Sequence, residues 1–256
     1  MKKITAFMLS TALVLSLTAC ANAEQNNASA SVSEEEVPQA AETETSQTEN
    51  DGQTSNTEIP SLEQEEGAGS NILIAYFTYG ENAELPDDVD ASATASIQIF
   101  NGKVTGNTGV MARMIAEASG GELFSIQTVE SYPDSYDDTI DVGENEKNNG
   151  IRPELSTHIE NLDQYDTVFV GFPNWWYGMP MVMYSFFDEY DFSGKTIIPF
   201  DVHRGSRLSG TPDTIQELEP DATVISDGFT VVHEDVVESM SDVAANVEEW
   251  LHGLGY

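Results

Sequence analysis

The stretch Thr167-Val168-Phe169-Val170-Gly171-Phe172 leads directly into Pro173-Asn174-Trp175-Trp176-Tyr177-Gly178, and this transition decides the fold. The first half is an apolar run of strand length, and the second half places two of the three tryptophans on a turn. Adjacent large aromatic side chains on a loop are costly unless something covers them. In an open α/β sheet the loops at the carboxyl ends of strands bind ligands, so this loop is placed to stack a planar cofactor. The alternative is that one indole belongs to the core and the other caps a helix.

The rest of residues 71–256 alternates strand and helix patterns. Runs that are apolar on both faces indicate a parallel sheet covered by helices on each side. Strands are predicted at 71–78, 122–129, 166–172, 195–200 and 222–226. Helices are predicted at 108–119, 136–148, 181–190, 211–219 and 236–254. These elements predict one α/β domain, a three-layer doubly wound sandwich around a five-stranded parallel sheet, for which 2-1-3-4-5 is one common strand order.

The tetrapeptide Thr105-Gly106-Asn107-Thr108 stands immediately before a predicted helix. Glycine lets the backbone approach an anion, while hydroxyl groups and the amides at a helix start supply hydrogen-bond donors. The pattern predicts a phosphate site without lysine, unlike the lysine-containing loop of nucleotide triphosphatases. Because Asn and Thr are also ordinary capping residues, the tetrapeptide alone leaves both interpretations open.

Several motifs together resemble the flavodoxin-like family, over nearly all of residues 71–256. They are Tyr76-Phe77-Thr78, Thr105-Gly106-Asn107-Thr108, Gly120-Gly121-Glu122-Leu123-Phe124-Ser125-Ile126, Tyr132-Pro133, Arg152-Pro153-Glu154-Leu155, Tyr165-Asp166, Gly171-Phe172 with the aromatic loop and Met179-Pro180-Met181, and Asp191-Phe192-Ser193-Gly194-Lys195-Thr196. The resemblance implies a flavodoxin-like fold and bound FMN.

The resemblance also implies two groups of cofactor-binding residues. The residues implied for the phosphate are Thr78, Thr105, Gly106, Asn107 and Thr108. The isoalloxazine ring is expected between residues 173–178, called the aromatic loop below, and the loop after the fourth strand. The residues implied there are Pro173, Asn174, Trp175, Trp176, Tyr177, Gly178, Asp201, His203 and Gly205.

Two segments depart from the family pattern. Residues 79–104 separate the first strand from the phosphate motif and are predicted to carry a hairpin near 95–104. This insertion either covers the cofactor, offers a surface to a partner, or is a surface loop. Its acidic residues include Glu81, Glu84, Asp87, Asp88 and Asp90. The second departure is the loop 201–207, where the family pattern is richer in glycine and has a Cys or Thr near Asp201.

Loop 201–207 contains the candidate catalytic residues His203, Arg204 and Arg207. The arginines are candidates to compensate negative charge on the reduced cofactor or to bind an anionic substrate such as a nicotinamide nucleotide. The alternative is that they balance neighbouring acids. His203 is a candidate hydrogen-bond donor or proton relay. The other histidines, His158, His233 and His252, are expected at the surface, and because the four histidines lack metal-site spacing, no metal site is predicted.

Residues 1–19 are predicted to be a signal peptide, because a short basic start precedes an apolar run too short to span a bilayer comfortably. Leu17-Thr18-Ala19-Cys20 resembles the bacterial lipobox, so Cys20 is predicted to be lipidated; a plain secretory signal is the alternative. Cys20 is the only cysteine, so the sequence excludes an intramolecular disulfide. The predicted location is the extracytoplasmic face of a bacterial membrane.

The remaining residues divide by composition into a linker and a domain. Residues 20–70 are predicted to be the lipidated cysteine and a disordered acidic linker, because 21–70 contain 12 acidic residues and no Lys, Arg or aromatic residue. Residues 71–256 contain 33 acidic and 7 basic residues, a net charge of −26. This charge argues against binding to nucleic acid, and against binding to anionic lipid except through the acyl anchor.

Three functions follow from these expectations. The first is a membrane-anchored flavoprotein that carries electrons through FMN to an unidentified redox partner protein or small acceptor. The second is an FMN-dependent reductase that oxidises NAD(P)H and reduces a quinone or similar acceptor. The third is a non-catalytic surface module that keeps the fold for binding.

Overall fold

The computed structural model describes residues 71–85 and 96–256. The predicted signal peptide, Cys20 and the acidic linker lie outside the described residues, as do Asp87, Asp88 and Asp90. None of the helices in the described residues combines the length and the apolar character that a membrane crossing requires.

A parallel sheet forms the centre of the domain. The strands are β1 (Ile72–Tyr76), β2 (Gln98–Phe100), β3 (Lys103–Thr105), β4 (Glu122–Ser125), β5 (Thr167–Pro173), β6 (Thr196–His203), β7 (Thr223–Val224) and β8 (Phe229–Val232). The sheet order is β4-β1-β5-β6-β7, with β8 also paired to β6, and every neighbouring pair is parallel. The predicted doubly wound order 2-1-3-4-5 is therefore confirmed, since β4 is the second strand of this sheet in the chain.

The edge of the sheet beside β6 differs from the prediction of a single strand at 222–226. There β7 pairs with the start of β6 and β8 pairs with its end, so two short strands share one edge position. Pro199 lies in β6 between the two paired segments and has no backbone N–H to donate. The amide of Ile225 donates to the carbonyl of Ile197, so the backbone of residue 199, two positions on, faces the same edge. The missing donor explains why the edge ladder is interrupted opposite Pro199.

Helices cover both faces of the sheet. They are α1 (Asn107–Ser119), α2 (Tyr136–Asn149), α3 (Met181–Glu189), α4 (Thr211–Leu218), α5 (His233–Glu238) and α6 (Met240–Leu254). Successive side chains of β1 point to opposite faces: Leu73 and Ala75 pack with residues of α3 and α4, whereas Ile72, Ile74 and Tyr76 pack with residues of α1 and α6. All five β1 residues are buried, as expected for a strand with helices on both sides.

The predicted C-terminal helix at 236–254 is two helices in the structure. It is interrupted at Ser239, whose backbone (φ −132°, ψ 36°) is not helical and forms the boundary between α5 and α6. Helix α5 begins at His233, three residues before the predicted start. Its first residue therefore follows β8 directly, at the end of the sheet where the other strand-to-loop transitions lie.

The insertion at 79–104 contains the predicted hairpin. Strands β2 and β3 pair antiparallel, from Gln98 opposite Thr105 to Phe100 opposite Lys103. A short 3₁₀ turn, Tyr79–Glu81, follows β1, and the end of β3 leads straight into α1. The hairpin therefore delivers the chain to the start of α1, next to the carboxyl end of β1.

Candidate cofactor site

A cavity of about 300 Å³ lies at the carboxyl ends of β1, β5 and β6. Such a volume is in the range of sites for small ligands. Its walls come from the last residues of β5 and β6, the residues that follow β1, β5 and β6, the starts of α1, α2 and α5, and Ser96 of the insertion. The lining residues are Thr78, Tyr79, Ser96, Asn107, Thr108, Tyr136, Thr139, Ile140, Pro173, Asn174, Trp175, Trp176, Val202, His203, Arg204 and His233.

The start of α1 forms the polar end of the cavity. Thr78 and Thr108 are buried to 2% and 1% exposure, yet both line the cavity, and no side-chain hydrogen bond joins either hydroxyl to another described residue. The backbone N–H groups of a first helical turn have no intrahelical partner. A Cβ atom at Gly106 would lie 2.2 Å from Thr78 Oγ1 and 2.4 Å from the Ser96 carbonyl, so only glycine fits there. The insertion thus leaves Thr78 beside the tetrapeptide 105–108.

Two members of this tetrapeptide, Thr105 and Gly106, do not line the cavity. The Thr105 side chain is engaged elsewhere. Its hydroxyl donates to Glu81 Oε1 at 2.5 Å, and Arg113 contacts both that hydroxyl and the same carboxylate oxygen at 3.3 Å. The other oxygen of Glu81 accepts from the Ser125 hydroxyl at 2.5 Å. Burial, followed by the negative charge of Glu81, raises the pKa of Tyr76 to about 12, so its hydroxyl stays a donor to Glu81. This network fastens the insertion behind the polar end of the cavity.

The aromatic loop closes in a tight turn. The backbones of Trp175 and Gly178 exchange two hydrogen bonds, of 3.0 and 3.1 Å. The central residues Trp176 and Tyr177 both have positive φ, 52° and 60°, which is the backbone of a type I′ turn. Asn and Gly favour these positions, whereas bulky side chains there are strained. Lys147, in the last turn of α2, donates to the Trp176 carbonyl and holds the turn against that helix.

The two tryptophans have different environments. Trp175 packs edge-to-face against Phe77 and Tyr132, with ring centroids 5.6 and 5.4 Å apart, and borders the apolar core. Trp176 is 41% exposed and Tyr177 is 79% exposed. Both indoles line the cavity, but Tyr177 and Gly178 do not. The alternative that one indole belongs to the core therefore holds in part for Trp175, which serves the core and the cavity together.

A buried acid lies behind Trp175. Tyr132 donates to Glu146 Oε2 at 3.1 Å, and burial raises the pKa of Glu146 to about 6, while this hydrogen bond lowers it. Burial, followed by the charge of Glu146, raises the pKa of Tyr132 above its ordinary value. On the same helix, a Cβ atom at Gly143 would lie 3.2 Å from the Trp175 ring, so α2 packs closely on the indole. These contacts fix the ring plane of Trp175.

Strand β6 ends at His203, so the first three residues of the predicted loop 201–207 belong to the strand. His203 and Arg204 line the cavity, whereas Arg207 does not. Arg204 and Arg207 are both exposed, and neither forms an ion pair with a carboxylate of the described residues. Both interpretations of these arginines, compensation of charge on the cofactor and balance of neighbouring acids, stay predictions. Asp201 and Gly205 do not line the cavity.

His203 is held in one tautomer. The amide of Gly205 donates to His203 Nδ1 at 2.7 Å, so in the neutral ring the proton lies on Nε2. Burial, followed by the charges of Arg207 and His233, lowers the pKa of His203. His203 therefore presents a neutral imidazole with a single N–H donor, the form suited to hydrogen bonding rather than to charge neutralisation.

Asp201 links this loop to the aromatic loop. Its side chain is 1% exposed, and Oδ1 has no hydrogen-bond partner among the described residues. Oδ2 accepts from the Asn174 amide at 3.4 Å. Burial raises the pKa of Asp201 to about 6, and the Thr230 hydroxyl and the Asn174 amide oppose that rise. Asp201 therefore does not face the cavity and instead contacts Asn174, a residue of the cavity wall.

The sequence analysis missed seven cavity residues: Tyr79, Ser96, Val202 and a group of four from two helix starts. Tyr136, Thr139 and Ile140 come from the first turns of α2, and His233 from the first turn of α5. The expectation that His233 is a surface residue is wrong, because its side chain is only 12% exposed and lines the cavity. A period of three to four residues on a helix that follows Ser135, its N-cap, was the available signal for Tyr136, Thr139 and Ile140. No local pattern marks His233.

The cavity is also unusual in charge. Among the residues that the structure describes, none of those lining the cavity carries a carboxylate, although residues 71–256 have a net charge of −26. The ionisable groups that line it in residues 71–85 and 96–256 are His203, Arg204, His233 and two tyrosine hydroxyls. This arrangement of neutral donors, basic side chains and two indoles suits an anionic ligand that also carries a flat aromatic part.

A comparison with protein families places this fold and cavity in a known group. The flavodoxin family model matches residues 97–249. The chain belongs to the flavodoxin family. In this flavodoxin-family protein the matched segment spans β2 to most of α6, and thus holds most of the cavity residues. None of the curated proteins compared with the chain matches it.

Solved structures with a similar fold include a protein from Bacteroides uniformis with a provisional description as a flavoprotein. It is 25% identical, with a TM-score of 0.51, and the match covers 72% of this chain and 99% of that one. A protein of the same description from Bacteroides eggerthii is 24% identical, with a TM-score of 0.49, over 68% and 97% of the two chains. A flavoprotein from Lactobacillus acidophilus, solved in complex with FMN, is 17% identical, with a TM-score of 0.45, over 66% and 97%.

Proposed function

We propose that this flavodoxin-family protein binds FMN and transfers electrons at the extracytoplasmic face of a bacterial membrane. The observation that carries the proposal is the cavity, which joins a polar end at the start of α1 to an aromatic wall formed by Trp175 and Trp176. These two ends match the two parts of FMN, an anionic phosphate and a flat ring. When bound, the flavin supplies the redox chemistry, and the protein sets access and potential.

The cavity residues divide the work of binding. The hydroxyls of Thr78 and Thr108 and the amides at the start of α1 hold the phosphate, because they are buried donors without side-chain partners in the described residues. Trp175 and Trp176 contact the ring, and the rigid support of Trp175 by Phe77 and Tyr132 orients it. His203 donates through Nε2 to a polar atom of the ligand, since Gly205 occupies Nδ1.

The visible absorption spectrum of the purified full chain tests this proposal. We expect flavin absorption bands, and heat denaturation releases a cofactor with the mass of FMN rather than FAD or riboflavin. Where the protein is purified without cofactor, added FMN binds at the cavity and its fluorescence is quenched by Trp175 and Trp176. A colourless protein that leaves FMN fluorescence unchanged contradicts the proposal and favours the non-catalytic binding module.

Electron carriage and substrate reduction are separated by one further measurement. The net charge of −26 in residues 71–256 favours a carrier that docks on a basic partner protein, because complementary charge accelerates the encounter of two proteins. The arginine at the cavity mouth, Arg204, favours instead a reductase that binds an anionic donor such as NAD(P)H. We favour the carrier, because NAD(P)H is a cytosolic donor. Steady-state oxidation of NAD(P)H by the holoprotein, in the presence of a quinone, contradicts the pure carrier.

The location of the protein rests on the lipobox-like sequence that ends at Cys20. Lipidation there anchors the domain through the acyl chains and the linker 21–70, and not through its acidic surface. In bacterial cells, the substitution Cys20→Ser is expected to move the protein from the membrane fraction to the soluble extracytoplasmic fraction. A wild-type protein that already partitions into the aqueous phase contradicts the anchor.

A further inference from the structure

In the described residues, the phosphate end of the cavity is lined by neutral donors and by no lysine or arginine. Its buried donors are the neutral side chains Thr78, Asn107 and Thr108 and the backbone at the start of α1. A phosphate monoester carries between one and two negative charges at neutral pH. Neutral donors form hydrogen bonds with its oxygens but leave much of this charge uncompensated. A further donor near the phosphate would therefore strengthen its binding.

His233 lies next to this end of the cavity. Its backbone carbonyl accepts a hydrogen bond from the Asn107 side-chain amide at 3.4 Å, which sets the first residue of α5 against the first residue of α1. The Asn107 amide oxygen is itself fixed by Gln98, at 2.8 Å. The His233 imidazole lines the same cavity as Thr108 and Thr78. This placement depends on a contact between residues 126 positions apart.

The His233 imidazole is buried without a hydrogen bond at one nitrogen. Nε2 has no hydrogen-bond partner among the described residues. Glu234 Oε1 lies 3.0 Å from that nitrogen but outside hydrogen-bonding geometry, and the Glu234 side chain is 52% exposed. A buried donor without a partner costs free energy, so a ligand atom that accepts from it is stabilised.

We propose that His233 is a ligand of the cofactor phosphate and confers preference for FMN over riboflavin. The inference rests on the proposed function, since it assigns one more binding residue to that site. The imidazole donates a hydrogen bond to a phosphate oxygen from the α5 side, opposite the donors of α1. Because the Glu234 side chain is 52% exposed, its carboxylate is free to turn into water when a phosphate oxygen takes its place beside Nε2.

Titration of the cofactor-free full chain with FMN and with riboflavin, followed by flavin fluorescence, tests the proposal. His233→Ala is expected to weaken FMN binding by about tenfold or more, the loss that accompanies a charge-assisted hydrogen bond. Riboflavin lacks the phosphate, so its affinity stays within about twofold of the wild-type value. His233→Gln keeps an N–H donor and is expected to recover part of the FMN affinity. His252→Ala, at an exposed histidine of α6, is the matched control and changes neither affinity.

The outcomes separate this inference from the proposed function. If wild-type protein binds both flavins but His233→Ala retains full FMN affinity, or loses affinity for both flavins equally, the inference is wrong and the proposed function stands. If wild-type protein binds neither flavin, the proposed function fails and this inference falls with it. Where His233→Ala does not give a wild-type circular-dichroism spectrum, His233→Phe, which keeps a flat ring but has no N–H donor, carries the same comparison. An unchanged FMN-to-riboflavin affinity ratio in that variant overturns the inference.

Discussion

The side-chain amide of Asn174 donates a hydrogen bond of 2.6 Å to the backbone carbonyl of Arg207. Asn174 belongs to the aromatic loop at the end of β5. Arg207 belongs to residues 204–207 after β6, called the basic loop below because they contain both arginines, so one side chain joins the two loops. The same amide lies within 3.2 Å of Ser209 Oγ and 3.4 Å of Asp201 Oδ2. The backbone amide of Asn174 also donates to the Val202 carbonyl at 2.9 Å. Asn174 therefore fixes the position of the aromatic loop relative to the basic loop.

Loss of this amide should loosen both walls. Asn174→Ala removes the donor to the Arg207 carbonyl and one donor to the buried Asp201 carboxylate. We expect the free energy of unfolding to fall by about 1–3 kcal/mol, measured by urea denaturation, and FMN affinity to fall with it. Asn149→Ala, which removes an exposed amide bonded to Asn145 at the end of α2, is the control and should cost less than about 0.5 kcal/mol. Equal effects of the two substitutions would contradict the role of Asn174.

Asp201 should make the domain less stable as pH rises. Its folded-state pKa, about 6, lies above the unfolded value near 4, so the folded state retains a proton that the unfolded state has released. The free energy of unfolding therefore falls as pH rises from about 4 to about 6, and the loss persists above that range. Asp201→Asn should remove on the order of 2 kcal/mol of this fall.

Urea denaturation between pH 4.5 and pH 8 measures the effect of Asp201. Asp191→Asn is the control: Asp191 is fully exposed and its pKa is lowered by hydrogen bonds from Ser193, so it is ionised throughout this range in both states. The control should keep the wild-type pH dependence. If Asp201→Asn also keeps the wild-type pH dependence, the Asp201 carboxylate does not cause the fall in the free energy of unfolding.

Gly106 should be irreplaceable for cofactor binding. Gly106→Ala places a methyl group 2.2 Å from Thr78 Oγ1 and 2.4 Å from the Ser96 carbonyl, so the loop before α1 must move. We expect FMN affinity to fall at least about tenfold, because misplaced amides no longer meet the phosphate. Gly253→Ala, in α6 with open space around the added methyl group, is the control and should leave FMN affinity unchanged. Fluorescence titration reports both, and wild-type affinity in the Gly106 variant would refute the close approach.

The two arginines of the basic loop should differ in their effect on redox potential. Arg204 lines the cavity, whereas Arg207 does not. Neutralising both should lower the midpoint potential of bound FMN, because positive charge near the cofactor stabilises the negative charge gained on reduction. We expect Arg204→Gln to account for most of the decrease in a redox titration. Arg152→Gln, which breaks a surface ion pair with Asp188, is the control. An unchanged potential in the double variant would remove both arginines from the mechanism.

The turn at Trp176 and Tyr177 should be strained. Tyr177 has φ 60° and is mostly exposed, so glycine relieves the backbone at little cost in burial. We expect Tyr177→Gly to be more stable than Tyr177→Ala by about 1 kcal/mol, because both remove the ring but only alanine keeps the strained Cβ. Thermal or urea unfolding measures the difference. Equal stability of the two variants would show that the left-handed conformation is not held in solution.

The sequence predicted the sheet well because the evidence for its strands is local. The runs at 71–78, 166–172 and 195–200 are apolar on both faces, and β1, β5 and β6 lie within or across them. The hairpin within the insertion was also predicted and is confirmed. The edge was harder, because β8 depends on pairing with β6 and on the interruption caused by Pro199, which are contacts between distant segments.

In the candidate cofactor site, too, the sequence predicted the features with local signals and missed those that depend on distant contacts. The sequence indicated the tetrapeptide 105–108 and the aromatic loop, which are continuous stretches with local signals. It did not show that the Thr105 hydroxyl is taken by Glu81, or that Asp201 lies behind the cavity wall. Side-chain direction at these residues is decided by packing against partners far away in the chain.

By itself the sequence determined which strands are buried on both faces and which loops follow them, because apolar periodicity and turn residues act over a few positions. In a parallel sheet this places the loops after β1, β5 and β6 at one edge. Only the tertiary structure decided which side chains face the cavity there. His233 reaches it because α5 packs on α1, a contact between residues 126 positions apart that no local pattern encodes.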